Sequence, residues 1–174
     1  MGKQLRKKKI ITAVLLILLL VVYVMIFFFS AENAEDSTAA SSKVTGFLVN
    51  LYYKIFGGTV ISTDMPLVVT VAEGGIRKLA HFIEYMTVGL LSFGIAAMWI
   101  QSTEKSFLMI VIQLIISAGL DEIHQYFVPG RASSVKDVML DTAGGIMGII
   151  LILVIREMRK QWKRIRQQKS KTCF

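Results

Sequence analysis

The chain has 174 residues, 54% of them hydrophobic and only 18% charged, with a net charge of +8. That length suits one domain, and a mean hydropathy of +0.60 argues against an ordinary soluble enzyme of this size. The positive excess does not point to nucleic acid, because it sits at the two ends, beside apolar runs.

Lys3, Arg6, Lys7, Lys8 and Lys9 open the chain. Basic clusters that flank membrane spans mark cytoplasmic ends, so residues 1–9 are read as a basic cytoplasmic N-terminus. Residues 10–29 follow as an apolar run of about 20 residues, enough to cross the hydrocarbon core. The run is longer than the core of a signal peptide, and no convincing cleavage site closes it, although the small residues around Ser30 to Ala34 keep that option open. It is expected to be a retained first span.

Residues 30–75 are expected to form a long outer loop. They carry Glu32, Glu35, Asp36, Asp64 and Glu73 against only Lys43 and Lys54. Residues 47–56 fit a short helix on the membrane surface or a packed loop segment equally well. Gly57-Gly58 and Gly74-Gly75 punctuate the loop. The second span is expected at about 79–100, the third at 107–127 and the fourth at 138–155. The basic tail, 156–174, holds Arg156, Arg159, Lys160, Lys163, Arg164, Arg166, Lys169 and Lys171. Four spans put both basic ends on one side. The expected fold is an all-α, integral membrane four-helix bundle, N-in and C-in, in a cell membrane. Cys173 is the single cysteine, so no internal disulfide forms, and Thr-Cys-Phe is not a prenylation box.

Ionisable residues lie unusually close to these spans, and such groups need a partner or a role. The third run has about 14 uncharged residues before Asp121, about 21 Å of helix against a core of roughly 30 Å. The helix must therefore continue through Asp121, Glu122, His124 and Gln125. The fourth span has the same measure, with about 21 Å between Asp141 and the basic tail. Glu84 lies about 24 Å from the inner end of the second span. Three helices thus carry acids at similar depth in the outer part of the membrane.

Their helical phases also agree. Arg77, Lys78, His81, Glu84 and Tyr85 fall within an arc of about 120°, and Asp121, Glu122 and Gln125 within about 100°. His124 lies at the edge of its stripe. Asp137, Asp141, Gly144 and Gly148 form a third stripe, whose Gly-x-x-x-Gly half allows a close helix approach. Pro129-Gly130 signals a turn. Ser133 or Ser134 is placed to cap the last helix, whose first turn holds Asp137. Arg131 is left at the loop tip. These groups are expected to wall one polar pocket that opens outward. Tyr85, Tyr126 and Trp99 fit an aromatic interface belt.

The stretches RKLAHFIEYMTVGLL (residues 77–91) and DEIHQYFVPGRASSVKDVMLDTAGGIMG (121–148) resemble the VanZ-like family of bacterial membrane proteins. FFFSAENAEDSTAASS (27–42) is similar to the family's serine-rich segment after the first span. The resemblance implies a small four-helix membrane protein related to one that confers low-level teicoplanin resistance. The positions matching the polar motif are Lys78, His81, Glu84, Asp121, Glu122, Gln125, Arg131 and Asp137, with Asp141 a weaker match.

Two chemistries fit. In the first, the pocket binds an envelope component, a lipid headgroup or a lipid-linked wall precursor. Arg77, Lys78 and Arg131 would meet phosphate or carboxylate, and His81, Glu84, Asp121, Glu122, Gln125, Asp137 and Asp141 would complete the site. In the second, a membrane enzyme acts on a lipid or lipid-phosphate through His81 and Glu84 as an oriented base, with Asp121 and Glu122 as further candidates. His81, Glu84, Asp121 and Glu122 suit a metal chemically, but their spacing matches no diagnostic signature, so no metal is assigned. No cofactor or oligomeric state is legible. Ion pairs of Arg77 or Lys78 with Glu84, and of Arg131 with Asp137, are the plain structural alternative.

Overall fold

The computed structural model of the chain describes residues 2–56 and 65–172. Its elements are α1 (Gly2–Ala31), α2 (Ala34–Phe56), α3 (Met65–Trp99), α4 (Thr103–Tyr126) and α5 (Val135–Thr172). Among the described residues there is no strand. Four stretches are long and apolar enough to cross a membrane: Gly2–Ala31, Glu73–Trp99, Thr103–Tyr126 and Val135–Gln168. The all-helical, four-span expectation holds.

Helix α3 is the hub of the bundle, packing on each of the other four, most extensively on α5. Backbone proximity explains why. A Cβ at Gly148 would lie 2.0 Å from the Met86 carbonyl oxygen, and one at Gly144 would lie 2.4 Å from that of Phe82. From the α3 side, a Cβ at Gly89 would lie 2.0 Å from the Gly145 carbonyl oxygen. Close packing of this kind, rather than hydrophobic segregation, holds helices together where the surroundings are as apolar as the side chains. Around this seam Tyr85, Val88, Phe93, Leu114 and Ile149 are buried.

Helix α1 is apolar on all sides and mostly exposed, as suits a span that faces lipid. It joins the bundle along one edge. Ile26 and Ser30 are buried there, and the Tyr23 hydroxyl accepts a hydrogen bond from Gln113 Nε2 at 3.0 Å. The same amide donates to Ser92 Oγ at 2.9 Å, tying α1, α3 and α4 together. At the other end of α1, Trp99 Nε1 donates to Thr12 Oγ1 at 2.9 Å, and Lys8 sits 4.3 Å above the Trp99 ring. The basic N-terminus therefore lies at the α3–α4 turn, at the end of the bundle from which the basic part of α5 projects.

Residues 30–75 are not a long loop. Helix α2 fills half of that stretch, and α3 starts at Met65, so Gly74 and Gly75 lie within a helix. Gly57 and Gly58 lie outside the described residues. The helix at 47–56 exists, but it begins at Ala34. Polar composition concealed a four-residue period of small hydroxyls, Ser37, Ser41 and Thr45, which are all buried. Their hydroxyls bond back within the helix: Ser41 to the Ser37 carbonyl at 2.8 Å and Thr45 to the Ser41 carbonyl at 2.9 Å. This self-satisfied stripe lets α2 pack on α3, joined by Ser42 to Glu73 and by Arg77 Nη2 to Thr38 Oγ1. Tyr85 is also not an interface residue. It is 1% exposed, and its hydroxyl is hydrogen-bonded with Ser117.

Candidate functional site

The site lies at the end of the bundle opposite the basic termini, and it begins with the α4–α5 turn. Pro129 fixes φ, and Gly130 adopts φ 76°, which a side chain would resist. The Arg131 amide then closes the turn onto the Val128 carbonyl at 3.2 Å. Ser134 caps α5, its hydroxyl accepting from the Lys136 amide at 3.2 Å. The Ser134 amide in turn donates to Glu122 Oε2 at 2.7 Å. Glu122 is thus spent on holding the start of α5 against α4, and it is 4% exposed.

Gln125 plays a similar part toward α1, donating to Ser30 Oγ at 3.2 Å and to Asp121 Oδ2 at 2.9 Å. Arg131 reaches back to the Phe29 carbonyl at 2.8 Å. That carbonyl lies in the last turn of α1, where the helix leaves acceptors without internal partners. Burial pushes the Arg131 guanidinium down, Arg77 acts in the same direction, and Glu32, Asp121 and Glu122 pull it back up. An arginine stays charged through such a shift.

At the centre, His81 of α3, Asp121 of α4 and Asp141 of α5 each bring a donor atom to within 4.8 Å of the others. Asp121 is 8% exposed and Asp141 2%. Glu84 Oε2 stands 3.5 Å from His81 Nδ1, beyond a good hydrogen bond. The ion pairs anticipated for Arg77 or Lys78 with Glu84, and for Arg131 with Asp137, do not form. Lys78 Nζ instead meets Asp137 Oδ1 at 2.7 Å, across the mouth between α3 and α5. Arg77 and Arg131 bond to neutral oxygens, and each keeps a buried Nε with no hydrogen-bond partner among the described residues.

These residues do not wall a single pocket. A cavity of about 320 Å³ opens between α3, α5 and the α4–α5 turn, lined by Arg77, Lys78, His81, Glu122, Gln125, Arg131, Asp137 and Asp141. A second, of about 300 Å³, lies on the α1–α2 side of Arg77, His81 and Arg131. Glu84 faces this second cavity, with Phe29, Val44 and Ile76. Asp121 lines a third, between α1 and α4, with Tyr23 and His124. The His124 ring stacks on Phe27 with centroids 4.6 Å apart, so this histidine serves packing rather than the polar centre.

The polar layer, the turn and most of the four spans fall within one matched region. A family model described as VanZ/LLP1 matches residues 15–156. The chain belongs to the VanZ-like family. No curated protein and no solved structure matches it significantly. Every polar residue of the VanZ-like centre lies inside the match, while most of the basic tail lies outside it. The sequence reading missed Ser30, the Phe29 carbonyl, Thr38 and Tyr23, which α1 and α2 contribute to this end of the bundle. The hydroxyl period of α2 was the signal available for Thr38's helix. Nothing in the sequence marks one backbone carbonyl among many.

Proposed function

We propose that this VanZ-like protein binds the anionic headgroup of an envelope amphiphile, a phospholipid or a lipid-linked wall precursor, on the outer face of a bacterial plasma membrane. The observation that carries the reading is the pair Arg77 and Arg131. Both line the 320 Å³ and the 300 Å³ cavities, and each holds a buried Nε that no described group accepts from. A phosphate between them would satisfy both forks at once, since guanidinium geometry matches phosphate oxygens. Lys78 and Asp137 stand at the mouth and set which headgroups enter. The second cavity adds apolar wall from Phe29, Val44 and Ile76, suited to the first part of a lipid chain. Positive-inside orientation puts the site outside, where occupation of a wall precursor would change glycopeptide susceptibility.

The test is a competition at equal chain length. Purified protein in nanodiscs is titrated with a polyprenyl phosphate and with the matching uncharged polyprenol. Binding of the phosphate and not of the alcohol is expected. Equal binding of the two overturns the reading.

A second reading, acid–base chemistry on a lipid phosphate, is favoured by one observation, His81 facing Glu84 at 3.5 Å beside buried carboxylates. Release of phosphate or of a headgroup during that titration would move the proposal from binding to catalysis.

A further inference from the structure

We infer that His81, Asp121 and Asp141 form a binding site for one divalent transition ion, of which Zn2+ is the best fit. The inference deepens the pocket reading: the ion's action on a headgroup rests on that reading, but its binding does not.

Three helices deliver one donor each, and the donor atoms lie within 4.8 Å of one another. Donors around zinc at about 2.1 Å stand about 3.4 Å apart in a tetrahedron, so small side-chain rotations close the set. Two of the three helices are held close to their donors. Gly144 seats α5 against α3 one turn from Asp141. Gln125 holds Asp121 through Oδ2.

The charge balance is the second, independent observation. Asp141 is 2% exposed, and its Oδ1 is buried with no hydrogen-bond partner among the described residues. His81 Nδ1 is likewise buried without a hydrogen bond. Among the described residues no base lies within ion-pair reach of Asp121 or Asp141. The nearby cations are committed elsewhere, Lys78 to Asp137, Arg77 to Thr38 and Arg131 to the Phe29 carbonyl. Two acids buried in a membrane-spanning bundle are costly unless compensated. A dication would neutralise both and take the free donors.

The donor set selects the ion. One imidazole with two carboxylates suits zinc or manganese, whereas calcium takes six to eight oxygens. Three protein donors leave a position open. His81 and Asp141 both line the cavity that holds Arg77 and Arg131, so that position faces the space where a phosphate oxygen would sit.

The experiment uses full-length protein in detergent, purified without a histidine tag and stripped with EDTA. It is then dialysed against ZnCl2 or, in parallel, MnCl2, with no lipid ligand added. One ion per chain is expected by elemental analysis, with a rise in melting temperature. The chain has two histidines, which supply an internal control. His81→Ala and Asp141→Asn should each weaken binding by about 100-fold or more, while His124→Ala keeps full occupancy. If the His81 or Asp141 variants fail to fold, the wild type decides. Bound Zn2+ should protect His81, and not His124, from diethyl pyrocarbonate as read by mass spectrometry. No uptake of either metal by the wild type, full occupancy in folded His81→Ala, or equal modification of His81 with and without Zn2+ overturns the inference. Metal binding by a protein that ignores polyprenyl phosphate would sink the headgroup reading alone.

Discussion

Gly148 meets the backbone of Met86 so closely that a Cβ there would lie 2.0 Å from the Met86 carbonyl oxygen. The α3–α5 seam is a contact of main chain on main chain, and it sets where Asp137 and Asp141 stand relative to His81. Gly148→Leu should lower stability by about 3 kcal/mol or more, since neither backbone can yield without moving a helix. Gly119, with open space around it, is the control: Gly119→Ala should be neutral or slightly stabilising through helix propensity. Thermal melts in detergent compare the two. An unchanged midpoint for Gly148→Leu would mean the seam does not exist.

Glu122 is a latch. Its carboxylate accepts from the Ser134 amide at 2.7 Å. Glu122→Ala leaves that amide without its partner and should cost about 1–3 kcal/mol. Glu122→Gln keeps an acceptor oxygen and should lose less. Hydrogen exchange at the start of α5 separates this local loosening from global unfolding. An equal loss in both variants would show that the negative charge, not the hydrogen bond, is what matters.

The polar centre was legible in the sequence because two independent measures agreed. Depth along three apolar runs picked out Glu84, Asp121 and Asp141, and helical phase set His81 beside them among wider polar stripes; the structure brings His81, Asp121 and Asp141 together and turns Glu84 to another cavity. The Gly144 and Gly148 stripe was legible for the same reason. What could not be read was pairing between helices. Lys78 meets Asp137, 59 residues away, and no periodicity carries that register. Helix α2 was hidden by its serines and threonines, which favour loops until their hydroxyls bond back to the preceding turn. Tyr85 looked like an interface residue because it ends a polar motif, yet Ser117 opposite supplies the partner that lets it be buried.

Both termini should face the cytoplasm. Reporter fusions after Arg159 and between Ser37 and Ser42 should report inside and outside respectively. The Trp99–Thr12 bond and the stacking of Lys8 on Trp99 already place the N-terminal cluster with the α3–α4 turn. Reporters on the same side would remove the outward-facing pocket.

His81, Glu84 and Asp121 should behave as one unit. His81→Ala, Glu84→Gln and Asp121→Asn should each remove the protein's effect on survival under a cell-wall antibiotic while the protein still inserts and accumulates. Double variants should lose little more than single ones, because groups acting together are non-additive. Independent, additive losses would mean that three separate packing roles had been mistaken for one site.

The most direct measurement is the affinity of folded Arg77→Gln, Arg131→Gln and the double variant for polyprenyl phosphate, with each melting temperature taken in the same nanodiscs. Each guanidinium should contribute about 1.5–3 kcal/mol to a charged ligand, so each single variant should bind about 10–100-fold more weakly. Melting temperatures should move little, because each arginine gives up a single hydrogen bond to a neutral oxygen, from Arg77 to Thr38 and from Arg131 to the Phe29 carbonyl. Wild-type affinity in well-folded Arg77→Gln and Arg131→Gln, or a collapse of stability with unchanged affinity per folded molecule, would contradict the headgroup site and leave the arginines as helix ties.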